Sequence, residues 1–150
     1  MDKPERLLEL LHATGQVADA AIPLGEAALI LAGLDHSGLD LAPYRAHLEQ
    51  LAHDAAEAFA IVRRGMSEND AAARVLADTI GARHGYLGDN ATFDDPQNAD
   101  LIRVIDRRRG LPVSLGIIYL DIAHRLGLRA QGLNTPRHFL LALGEGEHAK

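Results

Sequence analysis

"GLPVSLGIIYLDIAHRLGL", residues 110–128, is the stretch whose reading decides the fold. Pro112 suits the first turn of a helix, where a missing N–H costs nothing. Leu115, Ile117, Ile118, Tyr119, Leu120, Ile122 and Leu126 then cover nearly every direction around the axis. A helix that is apolar all round is buried, so this one is predicted to be the central helix. Asp121, His124 and Arg125 read as its wetter, later part, and Gly127 stops it. Ser114 stands in the first turn, and a histidine, His138, follows in "LNTPRHFLLAL". A polar residue at a buried helix start, with a histidine on the next strand, can supply a nucleophile and its base. The alternative is that Ser114 caps or satisfies backbone N–H groups of that first turn.

The rest of the composition supports a helical chain. Among 150 residues there are 25 Ala and 24 Leu, the strongest helix formers. At that length one domain can bury a real core. Only six residues are Phe or Tyr, and Trp and Cys are absent. The lack of cysteine excludes disulfides, thiolate metal sites and cysteine nucleophiles. A net charge of −6 argues against a nucleic-acid partner, whose footprint is basic. No run of eighteen apolar residues appears, so no membrane span is expected. "MDKPERLLELL" has no signal-peptide pattern, and the expected location is cytoplasmic.

Outward from the central stretch, the chain reads as a row of helices. Asp2 and Pro4 open the first, with an apolar face of Leu7, Leu8, Leu10 and Leu11 and a stop at Gly15. Pro23 opens "PLGEAALILAGL", which ends near Gly33 and is followed by the loop "DHSGLDLAP". Pro43 opens the longest helix, where Tyr44, Leu48, Leu51, Ala52, Ala55, Phe59 and Val62 share one face. Ser67 caps "SENDAAARVLADTIGARHG", with Asp70 three residues on in a short version of the capping box. "GYLGDNATFDDPQN" reads as a long polar loop, after which Asn98 is predicted to cap "ADLIRVIDRRR", closed by Gly110. "LRAQGLN" and "HFLLALG" read as two short strands around "TPR".

The remaining polar groups carry less chemistry. His47 and His53 are six apart and do not share one helix face, and no H-E-x-x-H or paired E-x-x-H pattern is present. They read, with Glu49 and Glu57, as a solvated face. "DNATFDD" lacks the glycine and terminal glutamate of a calcium loop, so no metal and no cofactor are expected. Arg107, Arg108 and Arg109 read as helix C-terminal charge.

"LDLAPYRAHLEQLA", "GYLGDNATFDDPQNADLIRVIDRRRGLPVSLGIIYLDIAHRLGLRAQGLN" and "PRHFLLAL" together resemble the SirB1 family of bacterial proteins, over roughly residues 24–143 and most specifically 93–140. The resemblance implies a transglutaminase-like core, distantly related to papain-like proteases. In the active enzymes of that superfamily a cysteine at the start of the central helix is the nucleophile, a histidine on the next strand is its base, and an Asp or Asn orients the histidine. Carried over, the cysteine place falls at or beside Ser114 and the histidine place on His138. The SirB1 family commonly has serine or threonine there, so the serine agrees with the family and departs from the enzymes. The family usually reads Pro-Gly-His-Phe, whereas this chain has Pro136-Arg137-His138-Phe139. After His138 there is no Asp or Asn, only Glu145 and Glu147, so the orienting partner is missing. Family members usually continue into further strands and a helical repeat, which makes this chain a short or C-terminally truncated member by expectation.

The expected fold is α+β and mostly helical: a helical N-terminal part, 1–83, followed by a partial transglutaminase-like core, 84–150, with a small antiparallel β element. The expected function is a non-catalytic binding or scaffolding protein on a degenerate core. Its rival is a hydrolase or acyltransferase using Ser114 and His138. A hydroxyl has a far higher pKa than a thiol and depends on an oriented base, which weighs against the rival. A protein partner or a second copy is expected on the open edge of the C-terminal strand.

Overall fold

A computed structural model describes residues 4–14, 23–89, 95–134 and 139–143. Six α-helices run in order: α1 (Pro4–Thr14), α2 (Leu24–Leu34), α3 (Ala42–Val62), α4 (Glu68–Leu76), α5 (Leu101–Arg107) and α6 (Pro112–Arg125). Four short strands accompany them: β1 (Leu87–Gly88), β2 (Arg109–Gly110), β3 (Ala130–Asn134) and β4 (Phe139–Leu143). The predicted caps of α1, at Asp2 and Gly15, lie outside the described residues.

The central position of α6 follows from its sequence. Ile118, Ile122 and Ala123 are fully buried, and α2, α3, α4, α5 and the β3–β4 hairpin all pack against the helix. Pro112 is in its first turn, and Gly127 closes it at φ +77°, a left-handed conformation natural to glycine. On α3, Leu48, Leu51, Ala55 and Phe59 form the buried stripe, with Tyr44, Ala52 and Val62 packed at its margin. Ser67 caps α4, accepting the Asp70 N–H. Among the described residues no helix is long and apolar enough to cross a membrane.

The expected antiparallel β element is the hairpin of β3 and β4, with Asn134 opposite Phe139 and Ala130 opposite Leu143. A second, two-residue ladder was not expected. β1, which falls in what reads in the sequence as a polar loop, lies parallel to β2, with Leu87 opposite Arg109 and Gly88 opposite Gly110. Two backbone bonds hold it, from Leu87 N–H to the Arg108 carbonyl and from Asp89 N–H to the Gly110 carbonyl.

Four local expectations are corrected. Asn98 does not cap α5. Pro96 opens a 3-10 turn, Pro96–Ala99, capped by Asp95, and this delays the helix until Asp100 caps it by accepting the N–H groups of Ile102 and Arg103. The helix after Ser67 is not uniform: it widens into a π-helical segment, Ala77–Arg83. Asp121 is not wet. It is 3% exposed and accepts hydrogen bonds from Gly25 N–H and Arg125 Nε. His47 does not belong to the solvated face: it is half-buried and bonded to the Tyr86 hydroxyl, whereas His53 and Glu57 do form an exposed pair.

Candidate functional site

The start of α6 is built by the segment before it. Gly110 is buried in the β2 ladder, where a Cβ would meet the Val104 methyls at 3.0 and 3.1 Å. Any side chain here would have to push the Val104 methyls aside by a few tenths of an ångström, and glycine avoids this. Leu111 then turns into the helix, its N–H bonded to the Asn98 carbonyl at 3.3 Å. Ser114, two residues beyond Pro112, sends its hydroxyl back to the same carbonyl at 2.6 Å. Asn98 is itself fully buried, its side-chain oxygen accepting from Arg107, which also pairs with Asp89 at 2.9 Å.

Ser114 is therefore not a cap of its own helix. Leu111 holds the N-cap position without a side-chain bond, and the Ser114 hydroxyl is a donor to a peptide carbonyl from another segment. The chemical consequence is specific. A serine nucleophile gives its proton to a basic nitrogen or carboxylate, and a peptide carbonyl is not such a base. His138, the residue predicted to be that base, lies outside the described residues.

A cavity of about 420 Å³ lies over this helix start. Its walls are Ala28, Leu31 and Ala32 from α2, Pro96 and Gln97 from the 3-10 turn, Leu101 from α5, and Ser114 and Ile117 from α6. The lining is mostly aliphatic, and Leu31 stands 53% exposed at the mouth. Asp35, Asp100 and Arg103 add the charges. Asp100 is tied down twice: one oxygen caps α5 and the other meets His36 Nε2 at 2.5 Å. This volume and the apolar lining with a few polar groups fit a small-ligand site. Among the described residues no group of three metal-ligating side chains occurs.

A second cluster escaped the sequence reading. Asp54, on the buried stripe of α3, accepts from Gln50 and from His84 Nε2 at 2.8 Å, with Arg83 nearby. Burial pushes the Asp54 carboxyl up, but these hydrogen bonds and charges outweigh it and hold it below its ordinary value. His47 reaches the Tyr86 hydroxyl at 2.7 Å and meets His84 edge-on, with ring centroids 5.8 Å apart. Burial, with the Arg108 charge and then His84, lowers His47 to about 4. Burial raises Tyr86 to about 12 against the pull of Arg108. The one available signal was the Arg-Arg-Arg-Gly run. All three arginines turn inward: Arg107 to Asp89, Arg108 to Tyr86 and Arg109 to the Gly85 carbonyl.

The helical body, the buried α6 with a polar residue at its start and the hairpin behind it are the features of a defined class. The chain belongs to the transglutaminase-like superfamily, whose family model matches residues 42–149. It is 31% identical over 141 residues to a UPF0162 protein of Xylella fastidiosa (strain 9a5c), an overlap covering 91% of this chain and 47% of that protein. A UPF0162 protein of Vibrio cholerae is 42% identical over 59 residues, 39% of this chain and 22% of the relative. Human F-box only protein 21 is 34% identical over 61 residues, 41% of this chain and 10% of the relative. The chain thus spans about half the length of the Xylella relative. No solved structure matches it.

Proposed function

We propose that this chain is a non-catalytic binding or scaffolding domain of the SirB1 type, a pseudoenzyme of the cytoplasm built on a degenerate transglutaminase-like core. One observation carries the proposal. The residue at the expected nucleophile position, Ser114, gives its hydroxyl proton to the Asn98 carbonyl at 2.6 Å and so knits the floor of the cavity together. What the cavity offers a ligand is an aliphatic surface of Ala28, Leu31, Leu101 and Ile117, with Asp35 and Arg103 for orientation. Its ligand has an apolar body and a polar end.

The rival reading, a Ser114–His138 hydrolase or acyltransferase, has one observation in its favour. Ser114 lines the cavity at the start of α6, where helix N–H groups favour an oxyanion. A fluorophosphonate probe separates the two. The binding reading expects no label on Ser114, and binding of an apolar dye such as 8-anilinonaphthalene-1-sulfonate that Ala28→Trp abolishes. A label on Ser114 that disappears in His138→Ala would overturn it.

A further inference from the structure

At the other end of α5, away from the Ser114 cavity, a cleft of about 300 Å³ opens against the start of α3. Pro43, Tyr44, His47, Ile105, Asp106 and Arg108 line it. We propose that this cleft binds a small carboxylate ligand through the Arg108 guanidinium, with His47 beside it as a neutral donor and Asp106 restricting the ligand to a single negative charge.

Arg108 carries the argument. It is the C-cap of α5 at φ 58°, ψ 28°, a left-handed position usually filled by glycine. Among the described residues no other non-glycine residue has positive φ. An arginine at this place is a strained choice whose side chain must account for it. That side chain folds over the Tyr86 ring, 5.0 Å from its centroid, and Nη1 donates to the Tyr86 hydroxyl and the Ile105 carbonyl. Among the described residues no carboxylate pairs with it, whereas Arg107 beside it has Asp89. A half-buried guanidinium has given up part of its hydration, and its planar fork matches a carboxylate.

His47 adds a donor without adding charge. The Tyr86 hydroxyl accepts from Arg108 and shares a 2.7 Å hydrogen bond with His47 Nε2; in the tautomer where Nε2 accepts the Tyr86 proton, the His47 ring proton is on Nδ1, and this is the tautomer the proposal requires. The neutral ring is consistent with its lowered pKa. Asp106 sets the limit. Both its oxygens take the Tyr44 hydroxyl, at 2.9 and 3.1 Å, which places a negative charge on the cleft wall. A dianion is repelled there, and an ammonium group on the same ligand is welcomed, as in an amino acid.

The test is titration of the 150-residue chain at pH 7.5 and constant ionic strength, followed by ¹H–¹⁵N correlation spectra of the Arg108 side chain and the His47 ring. The probes are acetate, glycine and inorganic phosphate. Acetate and glycine should give saturable shifts at both residues, with phosphate weaker than either. Arg108→Gln should weaken binding by about tenfold or more, the loss of a charge-assisted pair. Arg108→Gly, which suits the backbone, keeps the test valid if the glutamine variant fails to fold. Asp106→Asn should remove any preference for glycine over acetate. The proposal is overturned if neither carboxylate gives a saturable shift, if both Arg108 variants bind as the parent does, or if phosphate binds most tightly.

Discussion

The Gly25 N–H donates to the Asp121 carboxylate at 3.0 Å across 96 residues of chain. It joins the first turn of α2 to the middle of α6, and so fixes one wall of the Ser114 cavity against its floor. The approach is close because residue 25 has no side chain. A Cβ there would lie 2.5 Å from Asp121 Oδ2 and 2.9 Å from a Leu48 methyl. Gly25→Ala should therefore destabilise the protein by about 1–3 kcal/mol through overpacking. Asp121→Ala should cost about 1–3 kcal/mol, because it leaves the Gly25 N–H without its acceptor while the exposed Arg125 turns to water. Urea unfolding of both variants checks this; a Gly25→Ala variant as stable as the parent would contradict the contact.

A hydrogen bond and a core side chain on the same helix should differ clearly. Ser114→Ala leaves the Asn98 carbonyl bonded to the Leu111 N–H, so its cost should be about 1 kcal/mol. Ile118, fully buried one turn further on, should cost about 2–5 kcal/mol when cut to alanine. Equal losses in denaturant titrations would mean that Ser114 does more than tie two segments together.

What the sequence made legible, and what it hid, divides along chain distance. The central helix was readable because Ile118, Ile122 and their neighbours lie within one window, bounded by Pro112 and Gly127. Asp121 was misread because its partner Gly25 belongs to a different helix, and nothing local distinguishes a buried aspartate from a wet one. Asn98 and Asp100 are both good cap residues; the 3-10 turn opened by Pro96 decides between them. His47 was misread for a related reason. Helical spacing reveals its i,i+4 neighbours, whereas Tyr86 and Arg108 come from the far side of the chain. Ser114 was found by its place before an apolar helix, but its hydroxyl partner is a backbone carbonyl, which leaves no mark in a sequence.

His47 gives stability a pH dependence of definite sign. Its folded pKa of about 4 lies below the ordinary 6.5, so the unfolded chain takes up a proton first as the pH falls. Stability is full above 6.5 and is lost as the pH falls from there towards 4. Discounted for partial exposure, the loss is about 1–2 kcal/mol. Asp54, held below its ordinary 3.8, also favours the folded state, but its contribution is lost only at pH values below about 4. His47→Gln should flatten the slope between pH 6.5 and 4 in urea unfolding. An unchanged slope would show that other histidines carry it.

The last prediction concerns the edge of the hairpin. Among the described residues β4 pairs with β3 alone. Its sequence, "FLLAL", is apolar at every position. An apolar strand with an unpaired edge presents a row of N–H and C=O groups to any other strand. A second copy of the chain is expected to pair there, giving a dimer at micromolar concentration and slow hydrogen exchange at Leu140 through Leu143. Proline substitution locates the contact. Alternate residues of an antiparallel strand direct their N–H groups to opposite edges. Of Leu141→Pro and Ala142→Pro, one therefore breaks the β3 ladder and the other only the outer edge. The outer variant should be a folded monomer. A parent chain that is already a monomer by sizing, with freely exchanging amides along β4, would refute the dimer.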